Sequence, residues 1–282
     1  AFLYYYKIKD PKYLWMYVLA IVLAMLTKPA FYLFAYANII MMLIFYLLNK
    51  DFKPILLALL PIFFVMGFSY WNQSRTGHFH FSSISKINAL NYNTYYFLMD
   101  KIGAEEAEQK VDAILNKAKS IEDYDAQSQF IKASTKEILS DHFLNYLFYH
   151  FKGSVLFFLD PGRFDLGSFF GIEGKTDDGF LHQKNKSGGS GIIAKLKSQP
   201  LLLLFSLGII FLFNLIKLGC IIRFFFLKNI DWIPKLLCLG IIFYLALLTG
   251  PLGASRFALP VFMLVLFTVV TVVGNNLQKR LV

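Results

Sequence analysis

Charged residues are scarce in this sequence. They make up 16% of its 282 residues, well below the roughly 25% of an ordinary soluble domain. The chain has only two cysteines, and both Cys220 and Cys238 lie in apolar segments, so nothing indicates a disulfide framework. The chain is instead 57% hydrophobic and 18% aromatic, more apolar surface than a globular core uses. This composition excludes an ordinary soluble protein and predicts an integral membrane protein.

Motifs of the common enzyme classes are also missing. There is no phosphate loop, nucleotide-binding glycine pattern, cysteine cluster or nucleophile elbow. His78 and His80, one residue apart, could ligate a metal only with further ligands, and ordinary interfacial histidines are the preferred interpretation. Asp160 and Asp165 flank Arg163 in a segment of turn composition, which favours local ion pairing over a catalytic pair. The sequence therefore predicts no metal site and no certain cofactor, with a divalent cation left open.

The chain does contain hydrophobic blocks of about 15 to 22 residues, the length a helix needs to cross a hydrocarbon layer about 30 Å thick. They occupy residues 13–27, 30–48, 54–71, 200–226 (only part of which need be in lipid), 232–250 and 254–274. Pro29 separates the first two blocks and disfavours a continuous helix, so we predict a tight helical hairpin there. The prediction is an all-α integral membrane protein with about six transmembrane helices. Three of them lie at 1–71, one large extracytoplasmic helical loop follows at 72–198, and three more helices lie at 199–282.

The net charge of +10 is unevenly distributed. The loop at 72–198 is close to neutral, so the excess flanks the membrane helices and does not indicate a nucleic-acid partner. Cytoplasmic helix ends are enriched in lysine and arginine, and one set of helix ends carries most of these residues: Lys7, Lys9, Lys12, Lys50, Lys53, Lys217, Arg223, Lys228, Lys235, Lys279 and Arg280. This pattern predicts that both termini are cytoplasmic and that the loop lies outside.

The loop is predicted to form a helical cap over the membrane part. Segments 104–118 and 126–139 have apolar residues at helical spacing. Residues 141–159 are rich in Phe, Leu and Tyr, but a crossing there would invert the charge pattern of everything downstream. This segment is therefore predicted to lie in the interface plane. The stretch 186–191, Lys-Ser-Gly-Gly-Ser-Gly, reads as a flexible loop or linker, with an engineered insert left open.

A few cations lie near the outer face, where the charge rule does not explain them. They are Lys28, Arg75 and Arg256, together with Lys195 and Lys197 at the end of the loop. One interpretation is that these side chains snorkel to lipid headgroups. The other is that the first three converge on an anionic group, such as the phosphate of a lipid-linked substrate. Snorkelling is preferred for the two loop-end lysines, and both interpretations stay open for the other three.

Three stretches together resemble one family. "LTKP" at 26–29 resembles the helix-ending Thr-Lys/Arg-Pro motif of bacterial relatives of dolichyl-phosphate-mannose protein mannosyltransferases and aminoarabinose lipid A transferases, which are polytopic GT-C glycosyltransferases. "WNQSRTGHFHFSSISKINAL", which starts at Trp71, is similar to a segment after a later helix of that family. "GPLGASRFALP" resembles the family motif Gly-Ala-x-Arg-Phe/Tyr-Arg-Leu-Pro and matches it at Arg256. It departs at Ala258, where the family often has a second arginine.

The resemblance implies the C-terminal part of a glycosyltransferase that uses a polyprenyl-phosphate sugar donor in a bacterial inner membrane. A base would deprotonate the acceptor, which displaces the lipid phosphate. The family's catalytic acids lie in an outer loop that precedes its Lys-Pro motif, so no catalytic residue is carried over. The residues that the resemblance assigns to the donor phosphate and its pocket are Lys28, Arg75, Arg256, Ser82, Ser83 and Asn88. Two alternatives stay open: a non-catalytic membrane subunit that scaffolds an envelope complex, and a polysaccharide polymerase or ligase.

Overall fold

The computed structural model describes residues 1–171, 200–252 and 254–281. These residues form helices and turns without a β-strand, which confirms the predicted all-α membrane fold. The helices long and apolar enough to cross a membrane are Pro29–Asn49, Lys53–Thr76, Leu201–Phe226, Trp232–Thr249 and Arg256–Asn276, and Lys12–Thr27 is a shorter apolar helix. The stretch 186–191 and the loop-end residues Lys195 and Lys197 lie outside the described residues.

The α-helices are numbered in chain order. They are α1 Phe2–Ile8, α2 Lys12–Thr27, α3 Phe34–Asn49, α4 Lys53–Ala58, α5 Leu60–Thr76, α6 Ile84–Asn88, α7 Tyr95–Ile102, α8 Ala104–Lys119, α9 Tyr124–Asp141, α10 Phe143–Leu159, α11 Arg163–Phe169, α12 Leu201–Phe226, α13 Trp232–Thr249 and α14 Phe262–Leu281. A π-helix at Ala89–Thr94 joins α6 to α7. The chain divides into two units, Ala1–Ser85 with Phe225–Tyr244, and Lys86–Phe224 with Leu245–Val282.

The first unit contains the predicted break between the first two apolar helices. Lys28 is extended, with φ −140° and ψ 108°, and a 3₁₀ turn at Pro29–Tyr32 leads into α3. Tyr17 on α2 donates a hydrogen bond of 2.6 Å to the Oδ1 of Asn38 on α3, and Asn38 is fully buried. A polar pair of this kind joins neighbouring helices where lipid offers no other partner.

Helix α1 lies against the connection between α3 and α4. The Tyr5 hydroxyl donates to Asp51 Oδ2 at 2.6 Å, and the Lys9 ammonium lies 3.1 Å from the same oxygen. The Phe2 and Tyr5 rings are almost completely buried, and Phe2 packs edge-on against Phe45. The aromatic side chains therefore pack α1 against the helices of the first unit, and the ion pair fixes its end.

In the second unit, the predicted loop helices are found as α8 and α9. Leu90 of the π-helix, Val111 of α8 and Ile131 of α9 share a small buried core. Helix α8 has Glu105 and Glu106 in its first turn, where the helix dipole favours negative charge. The side chain of Asp123 caps α9 by accepting from the backbone N–H of Ala126 at 2.6 Å.

Candidate functional site

The connection between α13 and α14 departs from regular helix. It contains 3₁₀ turns at Gly250–Leu252 and Ser255–Val261, with Pro260 inside the second. Gly250 has a positive φ of 47°, a conformation that glycine adopts without steric cost. Non-helical backbone at the end of a membrane helix is tolerated where it is buried in protein or lines a cavity. This connection carries Arg256, whose side chain is exposed.

Helix α10 packs directly on this connection. A Cβ atom at Gly153 would collide with the Gly250 carbonyl oxygen and with Pro251 Cα, and a Cβ atom at Gly250 would collide with the His150 ring. The two backbones therefore touch, and both glycines are needed for that approach. Ser154, beside Gly153, directs its hydroxyl to the His150 carbonyl oxygen at 3.0 Å.

A chain of hydrogen bonds fixes the orientation of His150. Its Nε2 lies 2.6 Å from the Leu247 carbonyl oxygen in the last turn of α13. Because a carbonyl oxygen only accepts, Nε2 carries the proton, and in the neutral ring Nδ1 accepts from the Tyr146 hydroxyl at 3.1 Å. Burial raises the pKa of the Tyr146 hydroxyl, and a hydrogen bond with the Asn93 side chain opposes that rise. The π-helix, α10 and the end of α13 are thus linked side chain by side chain.

Tyr96 on α7 lies within the electrostatic reach of Arg256. Burial raises the pKa of Tyr96 and the neighbouring Tyr92 adds to the rise, whereas the positive charge of Arg256 lowers it. The guanidinium carbon of Arg256 lies 5.3 Å from the ring centroid of Phe257. Arg256 is therefore held among aromatic side chains at the edge of the irregular connection, with its charge accessible.

The π-helix carries a buried hydrogen-bond acceptor. The Oδ1 atom of Asn91 is buried and has no hydrogen-bond partner among the described residues. A buried acceptor without a partner costs free energy unless a ligand or water satisfies it, and π-helical turns occur frequently at functional sites. Asn88, one of the predicted pocket residues, is exposed immediately before this turn.

The other predicted residues belong to the first unit. Lys28 is half-buried at the end of α2, Ser82 is half-buried and Ser83 is exposed. Arg75 stacks on Trp71, with 4.8 Å from guanidinium carbon to ring centroid, an arrangement typical of an arginine at a membrane interface. That Lys28, Arg75 and Arg256 share one phosphate stays a prediction.

The segment with His78 and His80 and the turn that begins at Asp160 had a metal site and a catalytic pair, respectively, as alternative interpretations. Both segments make hydrogen bonds to residues close to them in sequence. Asn72 donates to the His80 carbonyl oxygen at 2.9 Å, and His80 Nδ1 lies 3.0 Å from the His78 carbonyl oxygen. Asp160 Oδ1 accepts from the Gly162 backbone N–H at 3.1 Å. Across the described ranges, no group of three or more His, Cys, Asp or Glu residues could hold a metal ion.

Sequence reasoning did not assign the polar and aromatic residues of this unit to a site. They are Asn91, Asn93, Tyr96, Tyr146 and His150, and of these Tyr96 lies near enough to Arg256 to be affected by its charge. The sequence signal for this site was in α10, where His150, Gly153 and Ser154 interrupt an apolar run within about one helical turn. Small and polar residues of this kind are enriched where membrane helices pack closely.

Comparison of the chain with protein-family models, with curated proteins and with solved structures found no match.

Proposed function

We propose that this chain is a membrane glycosyltransferase that takes its sugar from a polyprenyl-phosphate donor and that Arg256 holds the donor phosphate. The observation that carries the proposal is an accessible guanidinium on an irregular connection which α10 holds in place through Gly153 and His150. Arginine can fork two hydrogen bonds onto one phosphate. Charge stabilisation of a leaving phosphate is effective when the cation is fixed in advance.

The polar groups of the π-helix suit the sugar part of such a donor. Sugar hydroxyls donate hydrogen bonds, and the buried Asn91 Oδ1 is an acceptor that lacks one. Tyr92 and Tyr96 stack with ring centroids 6.5 Å apart, which provides an aromatic surface beside the cation.

A groove in the same unit suits the acceptor. It has a volume of about 500 Å³ and is lined by Lys132, Thr135 and Lys136 of α9 and by Tyr146 of α10. The buried Thr135 hydroxyl has no partner among the described residues. Two lysines beside an unsatisfied hydroxyl favour an acceptor that carries negative charge. Tyr146 belongs both to this groove and to the hydrogen-bond chain through His150.

The test is transfer of radiolabelled sugar from a polyprenyl-phosphate donor in membranes that contain the protein at matched expression levels. Arg256→Ala should lower transfer by roughly a hundredfold or more, the scale seen when a fixed charge stabiliser is removed. Arg256→Lys should also lose activity, because a lysine cannot form the two-pronged contact. The matched control is Arg223→Ala, since Arg223 donates to Asn276 at 2.8 Å and has no part in the site.

Well-expressed Arg256→Ala protein with near-normal transfer would refute the phosphate role and leave Arg256 as a headgroup anchor. A wild-type chain that transfers no sugar but co-purifies with other envelope proteins would favour the scaffold alternative.

A further inference from the structure

Helix α9 lines a groove with one of its faces. Lys132, Thr135, Lys136 and Leu139 follow one another at spacings of three, one and three residues, which places them on the same side of the helix. All four line the groove of about 500 Å³ that α9 forms with α10, which we call the α9–α10 groove. Its volume lies within the roughly 300–1,000 Å³ that is typical of small-molecule sites.

The walls of the α9–α10 groove are apolar. Leu139, Ala89 of the π-helix and Phe143 of α10 all contribute to them. Phe143 is 59% exposed, and Leu147 and Phe151 follow it at four-residue steps with 39% and 53% of their surface exposed. Residues at this spacing are neighbours on a helix surface, so an apolar strip continues from the groove along α10. A groove and strip of this kind suit an aliphatic chain.

The rim of the groove is cationic. Lys132 and Lys136 are exposed and lie about one helical turn apart. Neither forms an ion pair with any residue that the structure describes. Among the described residues, no aspartate or glutamate lines the groove. Like charges at this spacing repel each other, and one anion held between the two ammonium groups would remove that repulsion.

Thr135 lies between the two lysines and is only 6% exposed. Its hydroxyl has no hydrogen-bond partner within the described ranges, whereas the buried hydroxyls of Ser69 and Ser154 each donate to the carbonyl oxygen four residues earlier. A threonine in a helix has two accessible χ1 rotamers, so one rotation exchanges its methyl and hydroxyl groups at the groove wall. A ligand oxygen at the rim would then supply the partner that a buried hydroxyl needs.

We propose that the α9–α10 groove binds a single-chain amphiphile with a carboxylate head. The carboxylate lies between the ammonium groups of Lys132 and Lys136 and accepts from the Thr135 hydroxyl, and the aliphatic chain follows Leu139 and Phe143. Three donor groups satisfy the two oxygens of a carboxylate, whereas a phosphate monoester has three oxygens and a larger charge to desolvate. The proposal names the chemistry of the groove's ligand and rests on the proposed function only for that ligand's role as acceptor.

The experiment is photoaffinity labelling of the purified full chain in a maltoside detergent with a dodecanoate that carries a diazirine. Mass spectrometry then locates the labelled residues, which should lie on α9 and in the first turns of α10. Unlabelled dodecanoate should displace the probe at a concentration at least about tenfold lower than dodecanol, the effect of one hydrogen bond to a charged group. Because both competitors have the same chain, their difference reports the head group. Dodecyl phosphate should compete less well than dodecanoate.

Two variants test the head-group contacts. Lys132→Gln combined with Lys136→Gln should weaken displacement by dodecanoate at least about tenfold and leave displacement by dodecanol unchanged. Thr135→Val replaces the hydroxyl by a methyl group of similar size and should weaken displacement by dodecanoate about threefold or more. Its thermal stability should stay the same or rise, because no hydrogen bond within the protein is lost. Lys110→Gln is the control, since Lys110 pairs with Glu106 at 3.3 Å and does not line the groove.

The site is refuted if dodecanol competes as well as dodecanoate, or if the labels lie outside α9 and α10. Dodecyl phosphate that competes better than dodecanoate would overturn the carboxylate head. A Thr135→Val protein that unfolds at a lower temperature than wild type would show that the hydroxyl has a partner within the protein. The assay contains no sugar donor, so binding of dodecanoate without any sugar transfer would sink the proposed function alone, and transfer without dodecanoate binding would sink this site alone.

Discussion

Gly153 touches the Gly250–Pro251 backbone, so a single methyl group added at Gly153 should lower the free energy of unfolding. Gly153→Ala places a Cβ atom against the Gly250 carbonyl oxygen and Pro251 Cα. Both are backbone atoms, so neither can rotate away, and α10 must move off the connection. Overpacking of this kind costs about 1–3 kcal/mol. The better helix propensity of alanine offsets at most about 1 kcal/mol of that cost, so the free energy of unfolding should fall.

Two other glycines on apolar helices provide the control. A Cβ atom at Gly208 or Gly219 of α12 meets nothing within 4 Å, so Gly208→Ala and Gly219→Ala should leave stability unchanged or raise it by up to about 1 kcal/mol. The free energy of unfolding can be measured for all three variants by titrating SDS against a mild detergent and following helicity by circular dichroism. If Gly153→Ala proves as stable as Gly208→Ala, the direct backbone contact is refuted.

Two further predictions concern charge. Burial alone would raise the pKa of Asp51, but hydrogen bonds from Tyr5 and Lys9 outweigh it and hold the pKa below its usual value. The stabilisation from Asp51 is therefore present above its unfolded pKa of about 4 and is lost as pH falls through the lowered pKa of the folded state. Unfolding curves measured at pH 7 and at pH 3 should accordingly differ less for Asp51→Asn than for wild type. For the orientation, a cysteine at Ser120 in a cysteine-free background should react with a membrane-impermeant thiol reagent in intact cells and one at Asn49 should not; the reverse pattern would show that the chain is inserted the other way.

Local sequence patterns were sufficient to predict the helices. The segments 104–118 and 126–139 correspond to α8 and α9, because apolar periodicity and first-turn acids act over a few residues. The break before α3 was also predictable, since Pro29 acts on its immediate neighbours.

The candidate site was predictable only at Arg256. Its surroundings depend on contacts between residues distant in sequence, such as the hydrogen bond between His150 and Leu247, which are 97 residues apart.

The shortness of α2 has a consequence for the lipid around it. Its 16 residues extend about 24 Å, roughly 6 Å less than an average hydrocarbon core. A bilayer accommodates such hydrophobic mismatch by thinning locally or by drawing flanking residues inward. Thinner hydrocarbon beside α2 would shorten the path that a polar head group must travel between the two leaflets. The protein should accordingly be retained best in membranes with shorter acyl chains, where this deformation is smallest.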